Sequence, residues 1–375
     1  MIPRSLEEPI REKMFKGKAI LLFGPRQVGK TTMMNLLLSR VSGDILSLNA
    51  DDPVIIRLLD RPNTMQLRQI IGNNKIVFID EAQRVNEIGL TAKIIIDQFP
   101  DVQLILSGSS AFELSQQTHE PLTGRKWSYN LWPVSWQEWQ DHIGFVQAEQ
   151  DIENRMVFGF YPDILNNPSD PERVLHELAG SYLYKDVLMY GGLKKPGEIQ
   201  SLLQALAWQV GNEVSFRELG EMAGIDPKTA ERYTRILEMA YVIFRLGSFS
   251  RNLRNEIKTN RKIYFYDNGI RNALIGQLQP LAVRQDTGQL WENFLMSERL
   301  KFLSYSGNYV NCYFWRTIQQ QEIDYVEERG GSIYGYEFKW SERRKFRFPK
   351  SFTESYKSLN TVVTRSNFRD FVTSL

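Results

Sequence analysis

Short apolar segments separated by helical patterns dominate the first part of the chain. In three of them, Ala19–Phe23, Lys75–Glu81 and Gln103–Leu106, apolar side chains occupy consecutive rather than alternate positions. Strands of a parallel sheet that are buried on both faces have this pattern. Met33 and Leu37, after the first segment, are spaced as on one face of a helix. The pattern predicts an α/β fold with a parallel sheet.

A loop bounded by two glycines lies between the first predicted strand and the first predicted helix. It matches the spacing G-x-x-x-x-G-K-[ST], in which the glycines let consecutive backbone N–H groups converge on phosphate oxygens. The positive end of the following helix adds to the attraction. The sequence therefore predicts a nucleotide site formed by Gly24, Pro25, Arg26, Gln27, Val28, Gly29, Lys30, Thr31 and Thr32, the last of these beginning the helix proper.

Charged and polar residues around this loop suit ATP or ADP with Mg²⁺. We expect Lys30 to reach the β- and γ-phosphates and Thr31 to offer its hydroxyl to the metal. Asp80 would hold the metal directly or through water, and Glu81 would polarise the attacking water. A pair of solvated acids at a strand end is the competing interpretation. Ser109, after the third strand, would sense the γ-phosphate or its water unless that segment is a simple turn.

Four segments together resemble the AAA-type ATPase family whose members carry a C-terminal DUF4143 domain. The segments are residues 24–32, 77–83, 104–114 and 122–139. The resemblance implies a P-loop core of AAA+ type and favours adenine over guanine. It also implies that Arg125 meets the γ-phosphate, either in cis or from a neighbouring subunit of a homo-oligomer. A structural ion pair at a loop is the alternative for Arg125.

Composition narrows the remaining classes. Lys plus Arg number 46 and Asp plus Glu 44, so no overall charge attracts nucleic acid. Cys312 is the only cysteine, which excludes an internal disulfide and fits a cytoplasmic location. No apolar run is long enough to span a bilayer, so we expect no membrane partner. The three histidines, His119, His142 and His176, are not spaced as ligands of a transition metal.

The middle of the chain has the pattern of a helix-turn-helix. Ser215 and Glu218 form a capping-box pattern, Gly224 marks a turn, and Asp226-Pro227 opens a second helix. Residues 241–246 have the pattern of a strand, which makes a winged helix. Candidate contacts to DNA on the second helix are Lys228, Thr229 and Arg232. Winged helices also serve as packing modules, so that interpretation stays open.

The last part of the chain contains a second candidate site. Alternation along the strand pattern at residues 333–339 places Glu337 and Lys339 on one face. Together with Asp324 on the preceding strand, this order resembles the PD-(D/E)xK nuclease superfamily, with Ile323 in place of the proline. The resemblance implies that Asp324 and Glu337 bind a metal, Lys339 orients the water, and Glu292 supports the metal. A strand pair with one acidic face is the alternative.

Basic residues beyond this pattern alternate with phenylalanines, which suits a phosphate backbone or a surface loop anchored in the core. They are Arg343, Arg344, Lys345, Arg347 and Lys350. Length suggests about two or three domains. The patterns and the two family resemblances together divide the chain into four parts, a P-loop ATPase domain, a helical linker, a winged helix-turn-helix domain and a nuclease-like domain. Their bounds are residues 1–145, 146–200, 201–255 and 256–375.

Two functional interpretations follow. In the first, the chain is an ATPase that couples hydrolysis to DNA binding or processing through the winged-helix and nuclease-like domains. In the second, it is a nucleotide-dependent regulatory switch whose nuclease-like fold is an inert scaffold and whose partner is a protein. Both use the same nucleotide site.

Overall fold

The computed structural model describes residues 1–109, 118, 120–180, 195–250, 261–342 and 346–375. Its contacts divide the chain into two compact units. The first comprises Met1–Pro133 with Met239–Tyr241, and the second comprises Val134–Glu238 with Val242–Leu375.

Five parallel strands form the sheet of the first unit and confirm the predicted fold class. Their order across the sheet is β2-β3-β4-β1-β5. The three central strands are the three apolar segments, and every residue in them is buried because both faces of the sheet are covered. The strands are β1 Ala19–Phe23, β2 Ile45–Asn49, β3 Ile76–Asp80, β4 Gln103–Gly108 and β5 Lys126–Asn130.

Helices connect these strands, because neighbouring parallel strands need a crossover between them. The described helices of this unit are Glu7–Lys13, Lys30–Leu38, Pro53–Leu59, Thr64–Ile71 and Ile88–Gln98, with a 3₁₀ turn at Ala82–Arg84. The phosphate loop follows β1, and the two acids follow β3. Both lie at the carboxyl edge of the sheet, where ligands of open α/β folds bind.

Seven strands form a mixed sheet in the second unit, in the order β12-β11-β10-β9-β7-β8-β6. The strands are β6 Glu213–Val214, β7 Ile243–Ser248, β8 Arg261–Phe265, β9 Asn311–Arg316, β10 Glu322–Arg329, β11 Ser332–Phe338 and β12 Leu359–Val363. β7 pairs with both β8 and β9, so the predicted boundary between residues 255 and 256 falls inside one sheet. The four predicted domain bounds stay predictions.

The helices of the second unit include the predicted helix-turn-helix pair. They are Trp136–Ile143, Phe145–Phe158, Pro162–Asn166, Pro196–Trp208, Phe216–Ala223, Pro227–Met239, Asn268–Leu274, Thr287–Ser306, Lys350–Tyr356 and Phe368–Thr373, with a 3₁₀ turn at Leu281–Val283. Residues 171–180 are also helical.

Of the two helix starts in this pair, only the second matches the sequence pattern. Asp226 caps the second helix by accepting hydrogen bonds from the backbone N–H groups of Lys228 and Thr229, both at 3.0 Å. The capping box predicted at Ser215 and Glu218 is wrong. The Ser215 side chain makes no cap hydrogen bond, and Glu218 accepts one from Gln209 instead, at 3.2 Å.

Cys312, the single cysteine, lies in β9 and is partly buried. The hydroxyl of Tyr325 donates a hydrogen bond to its sulfur at 3.0 Å. Burial raises the pKa of the Cys312 thiol to about 11, against the smaller opposing effect of that hydrogen bond. The thiol is therefore protonated at neutral pH.

A buried ion pair joins the helix Thr287–Ser306, called the long helix below, to the sheet of the second unit. Arg299 donates to both carboxylate oxygens of Glu327, at 2.7 and 2.9 Å, and also to the backbone carbonyls of Phe371 and Ser374. Both side chains of the pair are almost completely buried. Two parallel hydrogen bonds between planar groups give this contact a defined geometry.

Removing Arg299 should destabilise the protein strongly, because Glu327 would keep a buried charge without its partner. We expect Arg299→Met to lower the free energy of unfolding by about 3 kcal/mol or more, measured by urea denaturation. Arg173→Met removes an arginine from the exposed Arg173–Glu177 pair and should change it by less than about 0.5 kcal/mol. Equal effects of the two substitutions would contradict this account.

Candidate functional site

The phosphate loop has a backbone that only glycine fits at its first position. Gly24 has φ 144°, and a Cβ atom built there would lie 2.1 Å from the carbonyl oxygen of Leu131. Gly29 and Gln27 also have positive φ, at 89° and 59°. The loop is therefore held in the left-handed backbone conformations at which its N–H groups can converge.

Arg4, which the sequence did not single out, ties this loop to the segment after β5. Its guanidinium donates to the carbonyl oxygen of Val28 at 2.8 Å and to that of Trp132 at 2.6 Å. Arg4 and Val28 are both buried. The two hydrogen bonds support the loop from the side of the protein interior.

Lys30 begins the helix after the loop, two residues before the predicted start at Thr32. Its side chain is buried, and its ammonium donates to the carbonyl oxygens of Gly24 and Pro25 at 3.0 and 2.8 Å. The charge is thus held inside the curve of the loop, where a phosphate group can replace a carbonyl as acceptor.

Thr31 and Asp80 meet, as the motif predicts. The Thr31 hydroxyl donates to Asp80 Oδ2 at 2.6 Å, and Ser107 donates to the other carboxylate oxygen. The N–H of Glu81 also reaches Asp80 Oδ1, at 3.1 Å. All these donors are neutral, so none of them cancels a negative charge as an ion pair would. A hydroxyl and a carboxylate side by side are oxygen ligands of the kind that Mg²⁺ prefers, so these residues fit the predicted ion.

Glu81 and Ser109 come together with a third residue, Gln83. The amide of Gln83 donates to Glu81 Oε2 at 2.6 Å and to Ser109 Oγ at 3.2 Å. Ser109 itself donates to Glu81 Oε2 at 3.3 Å. The Glu81 backbone is left-handed, with φ 51°, which turns the chain sharply after β3. Gln83 was missed because an amide two residues beyond an acid carries no distinct sequence signal.

Arg125 lies at the amino ends of the strands, whereas the phosphate loop lies at their carboxyl ends. Its carbonyl accepts from the N–H of Ala19 at 2.9 Å, at the start of β1, whereas the phosphate loop follows the end of β1 at Phe23. Four residues of strand separate the two positions by about 13 Å. Its side chain pairs with Asp97 at 2.9 Å. The structure does not bring Arg125 to the loop of its own chain, and a role in trans stays a prediction.

The four residues of the second candidate site line one cavity of about 950 Å³ in the second unit. They are Glu292, Asp324, Glu337 and Lys339. Glu292 is on the long helix, Asp324 on β10 and Glu337 on β11. Lys339 donates to Glu337 Oε1 at 2.5 Å, and the N–H of Phe338 donates to Asp324 Oδ2 at 2.8 Å.

Lys262 on β8 also lines this cavity, and the sequence did not predict it. Its ammonium lies 3.1 Å from Glu292 Oε1, 2.5 Å from Glu322 Oε1 and 4.0 Å from Asp324 Oδ1. Burial alone would lower the pKa of Lys262, but the charges of these three carboxylates raise it above its ordinary value. Lys262 is therefore a permanent cation among the acids.

Burial also changes the acids themselves. It raises the pKa of Asp324 well above its usual range, and the neighbouring charges of Glu292 and Glu337 raise it further. Burial likewise raises the pKa of Glu337, against the opposing effect of Lys339. Glu337 is buried, and none of the described residues makes a hydrogen bond to its Oε2. The cavity therefore carries less negative charge than its four acids would have in water.

The metal predicted for this cavity does not fit the arrangement. Within the described ranges, no three or more histidine, cysteine, aspartate or glutamate side chains are placed to hold a metal ion. The centre of the acid group is instead occupied by the ammonium of Lys262. The sequence could not show this, because Lys262 and Glu292 come together only when β8 packs beside the long helix.

The candidate DNA contacts lie on the helix Pro227–Met239. Lys228 and Arg232 are exposed there, whereas the hydroxyl of Thr229 donates to Asp226 at 2.5 Å as part of the cap. Of the basic segment, Arg343, Arg344 and Lys345 lie outside the described residues. Arg347 and Lys350 are exposed. The phenylalanines of this segment pack in the core. Phe352 is fully buried in a cluster of hydrophobic side chains, and Phe346 and Phe348 pack against that cluster.

Comparison with known proteins agrees with the fold. Residues 16–140 match the family model described as an AAA domain, and residues 287–372 match the domain of unknown function DUF4143. A third model, the domain of unknown function DUF8612, matches residues 149–281. The P-loop part of the chain is therefore similar to AAA domains and its C-terminal part to DUF4143, as the resemblance predicted.

Two mycobacterial proteins are similar to this chain in sequence, and one solved structure is similar to it in fold. Uncharacterized proteins of Mycobacterium tuberculosis and Mycobacterium bovis are each 25% identical over 334 residues, which cover 88% of this chain and 72% of theirs. A Walker-type ATPase of Pyrococcus abyssi has a similar structure, with a TM-score of 0.52 and 16% identity over 73% of this chain and 96% of that one. The last comparison supports the fold alone.

In the described part of the chain, no helix has the length and apolar character that crossing a membrane requires.

Gly24→Ala should weaken nucleotide binding, because its methyl group meets the Leu131 carbonyl and the loop must move. We expect the Kd for ATP, measured by calorimetry with Mg²⁺, to rise at least about tenfold, which corresponds to about 1.4 kcal/mol. Gly17→Ala is the matched control, since Gly17 has φ 70° but open space around it. Unchanged ATP affinity in Gly24→Ala would refute the steric argument.

Proposed function

We propose that this protein binds ATP with Mg²⁺ in the phosphate loop and hydrolyses it. The observation that carries the proposal is the contact of Thr31 with Asp80 at the carboxyl edge of a parallel sheet, next to a loop that holds the ammonium of Lys30. The match to the AAA domain model supports ATP as the nucleotide.

Each residue has a separate role in this proposal. Lys30 would exchange its carbonyl partners for β- and γ-phosphate oxygens. Thr31 and Asp80 would hold Mg²⁺, which neutralises charge on the phosphates when bound. Glu81 would orient and polarise the attacking water, and Ser109 and Gln83 would position its carboxylate. Release of Glu81 from Gln83 would accompany catalysis.

Arg125 would complete the site only in a homo-oligomer. Its side chain is partly exposed beside Asp97 and lies at the edge of the sheet away from its own loop. An arginine from a neighbouring subunit can stabilise the charge that develops on the γ-phosphate. We propose this trans role for Arg125, with loss of turnover but not of ATP binding in Arg125→Ala.

Glu81→Gln should lower turnover while ATP binding persists, because the amide cannot act as a general base. We expect kcat for ATP hydrolysis to fall by about 10²- to 10⁴-fold. Lys30→Ala should lose binding itself. Glu87→Gln is the matched control, since Glu87 has the same φ of 51° but pairs with Arg61 away from the loop. Wild-type turnover in Glu81→Gln would remove Glu81 from the mechanism.

We further propose that nucleotide turnover is coupled to DNA contact through the helix Pro227–Met239. The helix and the antiparallel strands β7 and β8 after it suit a winged helix. Its exposed Lys228 and Arg232 would contact phosphates, and the Asp226 cap holds the start of the helix in place.

Removing these two charges should weaken DNA binding in a salt-dependent way. For Lys228→Ala/Arg232→Ala we expect a higher Kd for duplex DNA and a salt dependence with a slope smaller by about 2. The control, Arg173→Ala/Lys195→Ala, removes two exposed charges from ion pairs elsewhere in the unit. Equal DNA binding by both double variants would exclude this helix as the contact.

The second candidate function is a nucleotide-dependent regulatory switch whose nuclease-like part is an inert scaffold and whose partner is a protein. The position of Lys262 among Glu292, Glu322 and Asp324 favours it, because that position leaves no place for a metal. ATP turnover stimulated by DNA, with Mg²⁺-dependent nicking that is lost in Asp324→Ala or Glu337→Ala, supports the DNA-processing function. Turnover without any DNA binding supports the switch.

A further inference from the structure

We propose that the ammonium group of Lys262 replaces the divalent cation of the carboxylate cavity, so that this cavity is complete without a metal ion. The proposal concerns the second unit alone and does not depend on ATP hydrolysis. It assigns to Lys262 the task that a metal has in a nuclease-like site, which is to hold carboxylates from three elements together.

The distances around Lys262 suit an ammonium and not a divalent ion. Three carboxylate oxygens surround its Nζ at 2.5, 3.1 and 4.0 Å. Hydrogen bonds from an ammonium to carboxylates are commonly about 2.7–2.9 Å long, whereas Mg²⁺ needs oxygens at about 2.0–2.1 Å. The acids are therefore spaced around a larger cation than a divalent ion.

The side chain of Lys262 is buried, and its backbone is fixed in the sheet. It is 2% exposed, and β8 holds its backbone between β6 and β7. The aromatic ring of Phe314 lies 5.7 Å from the ammonium. Moving the ammonium aside would leave the cation buried without partners, which is strongly unfavourable. An incoming metal ion would have to displace it at that cost.

The partners of Lys262 are also held from other sides. The hydroxyl of Tyr264 donates to Glu292 Oε1 at 2.7 Å, and the guanidinium of Arg316 lies 3.8 Å from Glu322. Glu337, the remaining acid, is paired with Lys339. A positive charge of the chain therefore lies within 4.0 Å of each of the four acids, and the attraction for a further cation is reduced.

Lys262→Met keeps the length of the side chain and removes its charge, so the acids would repel one another. We expect its thermal midpoint to fall and millimolar Mn²⁺ to restore part of the loss, with one Mn²⁺ bound by calorimetry. The unsubstituted cavity should bind none. Both chains would carry Asp80→Asn, so that the phosphate loop does not contribute a second metal site, and no nucleotide would be present.

Lys301→Met is the matched control, because Lys301 is another buried lysine that pairs with one acid, Glu298, at 2.7 Å. Its midpoint should fall without recovery in Mn²⁺. The proposal is overturned if the chain with Lys262 binds one Mn²⁺ that Asp324→Asn or Glu337→Gln abolishes, or if folded Lys262→Met binds none. If Lys262→Met does not fold, the Mn²⁺ titration of the chain with Lys262 decides alone.

Discussion

The contact between Gly24 and the Leu131 carbonyl is the constraint on which the nucleotide site depends. The loop passes so close to the segment after β5 that no side chain fits between them. Arg4 fastens the same two segments by donating to Val28 and Trp132. Because Gly24 leaves no space for a side chain and Arg4 ties the two segments together, the backbone of the loop is held in place before any ligand arrives. A preformed loop spares the entropy of ordering it on binding.

The two carboxylate sites of the chain differ in how their charge is balanced. Asp80 accepts hydrogen bonds from the neutral groups of Thr31 and Ser107, which stabilise the carboxylate without cancelling its charge. Asp324 lies near Lys262, which does cancel charge. The first arrangement leaves a cation to be recruited, whereas the second already contains one. An aspartate on a strand can therefore have opposite consequences for metal binding in the two sites.

The sequence predicted the parts of the fold in which neighbouring residues carry the signal. β1, β3 and β4 were recognised because they are central strands with both faces covered. β2 and β5 were missed because they are the two edges of the sheet, and their partly exposed residues do not form an apolar run. The meeting of Thr31 with Asp80 was predictable because the loop motif and the acid both follow strands whose carboxyl ends share one edge of the parallel sheet. Lys262 was not, because its partners come from distant strands and a helix.

Cys312 is partly buried, so cysteines introduced at the surface could be labelled specifically. With a pKa of about 11, only roughly one thiol in ten thousand is a thiolate at neutral pH, whereas an exposed cysteine with a pKa of about 8.5 ionises far more readily. Maleimide dyes should therefore react first with cysteines introduced at the surface, in an otherwise unchanged chain. A dye pair with one member on each compact unit could then follow their separation by energy transfer as nucleotide is added.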